Sequence, residues 1–288
     1  MPAATTHAEF AKDVLNSLSE EDRKKITDLP MYYLGSQGPD LLFFSRFMVL
    51  PGSLNKYGVL MHKEKVGEVI RYFDRNCVTP ALRSYFYGYL THYALDSMCH
   101  GIINACAKKE HEQLGTHEEE AHFRIEGELD AWTMRRLGKT VFDYDVYKML
   151  KVNRQDAHEL GLLYHNMFES VFGIDLPVSR FEETCQDCAD ITRYLRPGKK
   201  RFFLIGSAES LFRIPKLVTG MMLYDKEGAT PSVINSEHKP WNWYGESKDS
   251  YPQLYEKAKT LALNLFHERA SRYIRKTFTG IPLGETIL

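Results

Sequence analysis

Most of the chain repeats its apolar positions at the three-to-four-residue spacing of helices, and few segments alternate with period two. Thr6-His7-Ala8-Glu9 has a capping-box pattern that opens a helix toward Ser17. Gly38-Pro39 puts proline at a first helical position, with Asp40 in the first turn and LLFFSRF behind it. A helix is predicted over 63–76, and Thr79-Pro80 opens a long one. Thr116-His117-Glu118-Glu119 is a second capping box, opening a helix to about Leu137. Further helices are predicted near 154–172, 178–195, 203–217 and 251–276. Proline and glycine at 50–52, 197–198 and 228–231 mark loops, as does the aromatic run KPWNWYGESKDSYP. The pattern predicts an all-α multi-helix bundle, a single domain over 1–288. Within it, 1–140 carries the metal-type residues, and 141–288 adds helices and loops that complete a cleft.

One helical stretch breaks its own apolar character. In LTHYALDSMCHGII, residues 90–103, His92, Asp96 and His100 stand four apart, which stacks them on one helix face. Burying imidazoles and a carboxylate costs several kcal/mol unless they find partners. The helix after Thr116 repeats the device with His122, Glu126 and Asp130. His62 follows Gly58, and His7 and Asp40 lie near predicted helix starts. Neutral imidazole and carboxylate are the ligands zinc takes. Two antiparallel helices each offering two or three of them can hold a metal pair that clamps a phosphate and activates water. Singly, each histidine reads as a satisfied core residue and each i,i+4 pair as a helix hydrogen bond; their joint occurrence on an apolar helix points to metal.

Composition narrows the setting without changing this picture. The chain has 288 residues, 43% hydrophobic and 26% charged, with a net charge of -1. That balance gives no support to a nucleic-acid groove. No secretory pattern opens the sequence, no run approaches a membrane span, and five cysteines make an odd number. A cytoplasmic protein with reduced thiols is expected.

The segments YYLGSQGPDLLFF, MHKE, HYALDSMCHGII and HFRIEGELD, and less specifically NSEHKPW, resemble the zinc-dependent phospholipase C family, whose fold group includes the P1/S1-type nucleases. The resemblance spans about residues 1–135. It implies an all-α bundle with a metal cluster in a cleft between helices, and zinc-dependent hydrolysis of a phosphodiester or phospholipid. His62, His92 and Asp96 would hold one zinc; His100, His122 and Glu126 a second. Asp96 would reach toward a third that also uses His7, and Asp40 resembles the acid near the metal-bound water, the family's general base. Secreted members open, once processed, on a tryptophan whose amine and carbonyl complete that third site. This chain opens Met1-Pro2, so the resemblance implies two zinc ions, with the third short of those donors. The Asp96-to-His100 gap is also shorter than in secreted members, which keeps His117 and, more distantly, His111 as rival ligands.

Rival readings draw on the same residues. An HD-type phosphohydrolase needs an adjacent His-Asp pair, which the chain lacks. A di-iron bundle wants two Glu-x-x-His motifs, and only Glu119-x-x-His122 qualifies. A protein of the same fold that binds metal without catalysis, or a nuclease-type phosphodiesterase, uses the same ligands. Cys185-Gln186-Asp187-Cys188 reads as helix surface. Trp241, Trp243 and Tyr244 read as loop packing, with a substrate-stacking rim as the alternative. Arg196, Lys199, Lys200 and Arg201 read as a solvated basic loop, and His158, His165 and His267 as structural.

Overall fold

The computed structural model describes residues 4–48, 50–143, 145–196, 199–212, 217–222, 231–267 and 273–283. In chain order the elements are α1 (Ala4–Ser17), α2 (Glu20–Arg23), α3 (Leu29–Gly35), a 3-10 segment (Gly38–Met48), α4 (Asn55–Lys63), α5 (Val66–Asn76), α6 (Pro80–Leu114) and α7 (Glu118–Arg136). After a short 3-10 turn come α8 (Val146–Met149), α9 (Arg154–Met167), a π turn (Phe168–Phe172), α10 (Val178–Tyr194), α11 (Lys199–Leu211) and α12 (Leu217–Met221). A two-stranded ribbon, β1 (Trp241–Asn242) with β2 (Glu246–Ser247), precedes α13 (Tyr251–His267). The all-α class is therefore as the periodicity predicts.

Helix α6 is the axis. Its 35 residues rise about 52 Å at 1.5 Å per residue. Thr79 accepts from the Leu82 N–H to cap its start, Pro80 sits in its first turn, and Gly115 closes it in a left-handed conformation. Between Ser84 and Ile103 nearly every residue is buried, because the helix is apolar all round. Helices α3, α7 and α13 pack directly on it, and α1 bridges α6 and α7. The pair α9–α10 covers the 3-10 segment and α5. The Tyr85 and Tyr164 hydroxyls, both buried, meet at 2.7 Å and satisfy each other.

Several boundaries differ from expectation for local reasons. Helix α1 is already helical at Ala4, and the Thr6 capping box is not made. Thr6 is buried, its hydroxyl meets that of Thr133 at 3.1 Å, and the Asp130 carboxylate of α7 caps the helix instead. Thr116 does not cap α7 either; His117 takes the N-cap position without a side-chain bond. The predicted 63–76 helix is two, broken at Lys65, whose φ is +51°. After Gly38-Pro39 the chain winds as a 3-10 helix rather than an α-helix. Of the predicted 203–217 helix, α11 starts earlier and ends at Leu211. Residues 273–276 are not helical; Lys276 bridges to Pro282. The loop positions 197–198 and 228–230 lie outside the described residues.

Candidate metal centre

Five elements deliver the eight predicted site residues to one place. His92, Asp96 and His100 come from successive turns of α6, and His122 and Glu126 from α7. His62 ends α4, Asp40 lies in the 3-10 segment, and His7 comes from the first turns of α1. All are buried except His122, whose side chain is 20% exposed. They fall into three groups whose ligand atoms lie within 4.8 Å of one another: His7, His92 and Asp96; Asp40, His62 and His92; and His100, His122 and Glu126.

Asp96 is the hub. Its carboxylate oxygens stand 3.2 Å from His7 Nε2, 3.0 Å from His92 Nε2, 3.1 Å from His100 Nδ1 and 3.8 Å from His62 Nε2. Asp40 Oδ1 stands 3.1 Å from His62 Nε2. His100 reaches both ways, its Nε2 lying 3.3 Å from Glu126 Oε1, while His122 Nε2 lies 3.1 Å from the same oxygen. Expected to work beside a cluster of His62, His92 and Asp96, Asp40 thus sits inside a ligand group with two of them.

The donor chemistry fits a cation. His92 Nδ1 donates to the Ser36 carbonyl at 3.0 Å, and His62 Nδ1 to the Gly58 carbonyl at 2.7 Å. A carbonyl only accepts, so Nδ1 carries the proton and a neutral ring presents its Nε2 lone pair. Those lone pairs face carboxylate oxygens. His92 Nε2, Asp96 Oδ2 and His100 Nδ1 are buried and make no hydrogen bond despite separations near 3 Å, as is His7 Nδ1. Acceptors converging in a dry site need positive charge between them, a proton on His100 or a bound cation.

Electrostatics follow from this crowding. Burial opposes charge on Asp96, yet His100, His92 and His7 hold its carboxyl well below the usual range. Burial, with His92 stacked 4.1 Å away between ring centroids, lowers His7. Burial also works against a charged His100, but the Asp96 carboxylate and Glu126 outweigh it and raise the ring to about 10. Asp130 lies one turn beyond Glu126. Burial pushes its carboxyl up to about 7, against hydrogen bonds donated by Thr6 N at 2.7 Å and Thr5 N at 3.3 Å. It therefore anchors the element that carries His7.

Four contributors had no sequence signal strong enough to find them. Phe278, fully buried, packs its ring 5.4 Å from His62 and 5.5 Å from His92, a wall supplied by the far end of the chain. The Ser36 and Gly58 carbonyls orient two rings, and backbone acceptors leave no residue-type mark. Gly38 has φ +53° and lies against His92, where a Cβ would fall 2.2 Å from the ring; its glycine was visible, its contact was not.

A sequence profile of the family described as zinc dependent phospholipase C matches residues 6–174. The chain belongs to this family. No curated protein and no solved structure matches it. The matched span contains every one of the eight residues above, and ends before the helices that follow Ile174. Zinc chemistry and a hydrolase of the phospholipase type come with membership. Among the described residues no helix is long and apolar enough to cross a membrane.

The remaining sequence candidates lie elsewhere. His117 is exposed at the start of α7, and exposed His111 meets the Thr116 carbonyl at 2.6 Å. Cys185 and Cys188 are buried on the inner face of α10 rather than on its surface, because that face packs on the Tyr164–Phe168 cluster, and burial lifts the Cys185 thiol to about 12. Trp241 and Trp243 are packed in place, their indole N–H groups donating to the Asp249 and Thr279 carbonyls. His158 pairs with Glu182, His165 with the Leu176 carbonyl and His267 with Asp22. Lys200 and Arg201 lie on α11, not in a loop.

Proposed function

We propose that the protein is a zinc-dependent phosphodiester hydrolase of phospholipase C type, with phospholipid as its substrate class. The observation that carries this is the Asp96 hub: one buried carboxylate ringed by imidazole nitrogens, of which His92 Nε2 and His100 Nδ1 make no hydrogen bond. His62, His92 and Asp96 would hold one ion, His100, His122 and Glu126 another, and His7 with Asp96 offers a third position. Zinc there supplies Lewis acidity toward phosphoryl oxygens and lowers the pKa of bound water toward about 7.

The chain's own groups do the rest. Ser36 and Gly58 fix the ring planes of His92 and His62, so the donors need no reorganisation. Phe278 keeps bulk water from their outer edges. Asp40 is the acceptor we assign to the attacking water: its carboxylate, in the first turn of the 3-10 segment, orients the water and takes its proton. Half-buried His122 marks the side from which a phosphate enters.

Metal content and turnover test this together. Protein purified without added metal is expected to carry at least two zinc ions per chain by plasma mass spectrometry, lost in Asp96→Asn with His122→Ala. Asp40→Asn is expected to slow hydrolysis of a short-chain monomeric phosphatidylcholine by about 10²-fold or more. Absence of stoichiometric metal, even after reconstitution, would overturn the reading.

A further inference from the structure

Most large apolar side chains exposed among the described residues are scattered singly, as Leu29, Val78, Leu114 and Phe142 are. Four are not: Phe203, Leu204, Leu211 and Phe212 fall within ten positions and are 59%, 72%, 78% and 70% exposed. Leu204 and Leu211 are two turns apart on α11, so they share one face, and exposed Lys200 stands one turn ahead of them. Such a patch marks an interaction surface.

Charge says what it meets. Residues 191–212 carry five basic residues, Arg193, Arg196, Lys199, Lys200 and Arg201, and one acid, Glu209, in a chain whose net charge is -1. Arg193, Arg196, Lys200 and Arg201 are exposed. Glu209 is buried, its carboxylate accepting from the Val218 N–H at 2.8 Å and from Thr219. The only acid of the segment thus faces inward, and the outer face is basic at its head and carries Leu204, Ala208 and Leu211 along its length, with Ser207 among them. Helix α12, held by Glu209, stands on α7. A Cβ on Gly127 would lie 2.5 Å from the Gly220 carbonyl oxygen, and one on Gly220 would lie 3.2 Å from Phe123. Phe123 and Gly127 directly follow His122 and Glu126, so this surface lies one helix layer from the candidate metal centre.

We propose that the outer face of α11, Leu204, Leu211 and Phe212 headed by Lys200 and Arg201, docks the protein on an anionic lipid bilayer. Apolar side chains enter the acyl boundary while basic ones pair with headgroups, as for an interfacial helix. The purpose of docking rests on the phosphodiesterase reading above; docking itself is measured without turnover.

The full chain is tested by co-sedimentation with vesicles of phosphatidylcholine alone and with phosphatidylserine added. Wild type is expected to bind the mixed vesicles and to release them at high salt. Leu204→Asp with Leu211→Asp is expected to lower partitioning about tenfold or more, and Lys200→Glu about fivefold or more. Hydrolysis of a monomeric, water-soluble phosphodiester is expected to stay at the wild-type rate in these variants, with unchanged helical circular dichroism. No binding by wild type would overturn the proposal, as would binding indifferent to phosphatidylserine or to both variants. So would a wild-type dimer that Leu204→Asp with Leu211→Asp dissolves, since the face would then cover a second copy. Vesicle binding without soluble turnover would fault the hydrolase reading instead and leave the docking surface standing.

Discussion

His100 holds the most informative side chain in the protein. In the metal-free molecule Asp96 and Glu126 raise its ring to about 10 despite burial, so it is protonated at neutral pH. A ligating imidazole is neutral. Zinc that binds with His122 and Glu126 must therefore expel the His100 proton. Since the metal-free pKa lies above the working pH, affinity rises with pH up to about 10 and falls as pH drops. Calorimetric titration of zinc at pH 7 in two buffers of different ionisation enthalpy is expected to show at least one proton released per ion at this group. A heat independent of buffer would contradict the ligand assignment. The residue types were legible from sequence because His and Asp at i,i+4 spacing on an apolar helix are buried together and need a common partner. Asp40's place beside His62 and His92 was not, because helix spacing carries no information across α4, α6 and the 3-10 segment.

Elements explain why the site holds its shape. The 3-10 segment meets α6 at Gly38, where positive φ and the His92 ring both exclude a side chain. Gly38→Ala is expected to cost about 1–3 kcal/mol and to push His92 off its position. Differential scanning calorimetry should record a lower melting temperature. Zinc content should fall in the two groups that share His92 and persist at His100, His122 and Glu126. Unchanged stability and metal content would show that the segment can give way. Sequence patterns located α6, α9 and α10 well, since their caps and apolar faces are local. They misplaced the starts of α1 and α7 because the groups that satisfy α1 come from 124 or more residues away, in Asp130. They mistook Cys185 and Cys188 for surface because a short polar-flanked motif does not show which face of α10 turns inward.

At the scale of the whole molecule, the buried cluster ties α1, the 3-10 segment, α4, α6 and α7 together, and Phe278 adds the far end of the chain. Without zinc, the buried carboxylates Asp40, Asp96 and Glu126 are held ionised against burial in part by the imidazoles around them. Ligand that binds only the folded state stabilises it by about 2.7 kcal/mol at a hundred times its dissociation constant. For a chain of 288 residues, that corresponds to about 4–5 °C in melting temperature. Chelation with EDTA is expected to lower the melting temperature by at least that much, and added zinc to restore it. A transition unmoved by chelator would mean the helices hold the cluster unaided.

Gly35 and Gly88 face each other where α3 crosses α6. A Cβ on Gly35 would lie 2.1 Å from the Tyr85 carbonyl oxygen, and one on Gly88 would lie 1.9 Å from that of Tyr32. Each helix thus presents bare backbone to the other, and neither can accept a methyl group unless the pair slides apart. That slide would carry Ser36, the hydrogen-bond partner of His92, away from α6. Descent with variation is therefore constrained at both positions at once: lineages that keep the His92 donor are expected to keep both glycines, and those that lose one are free to lose the other.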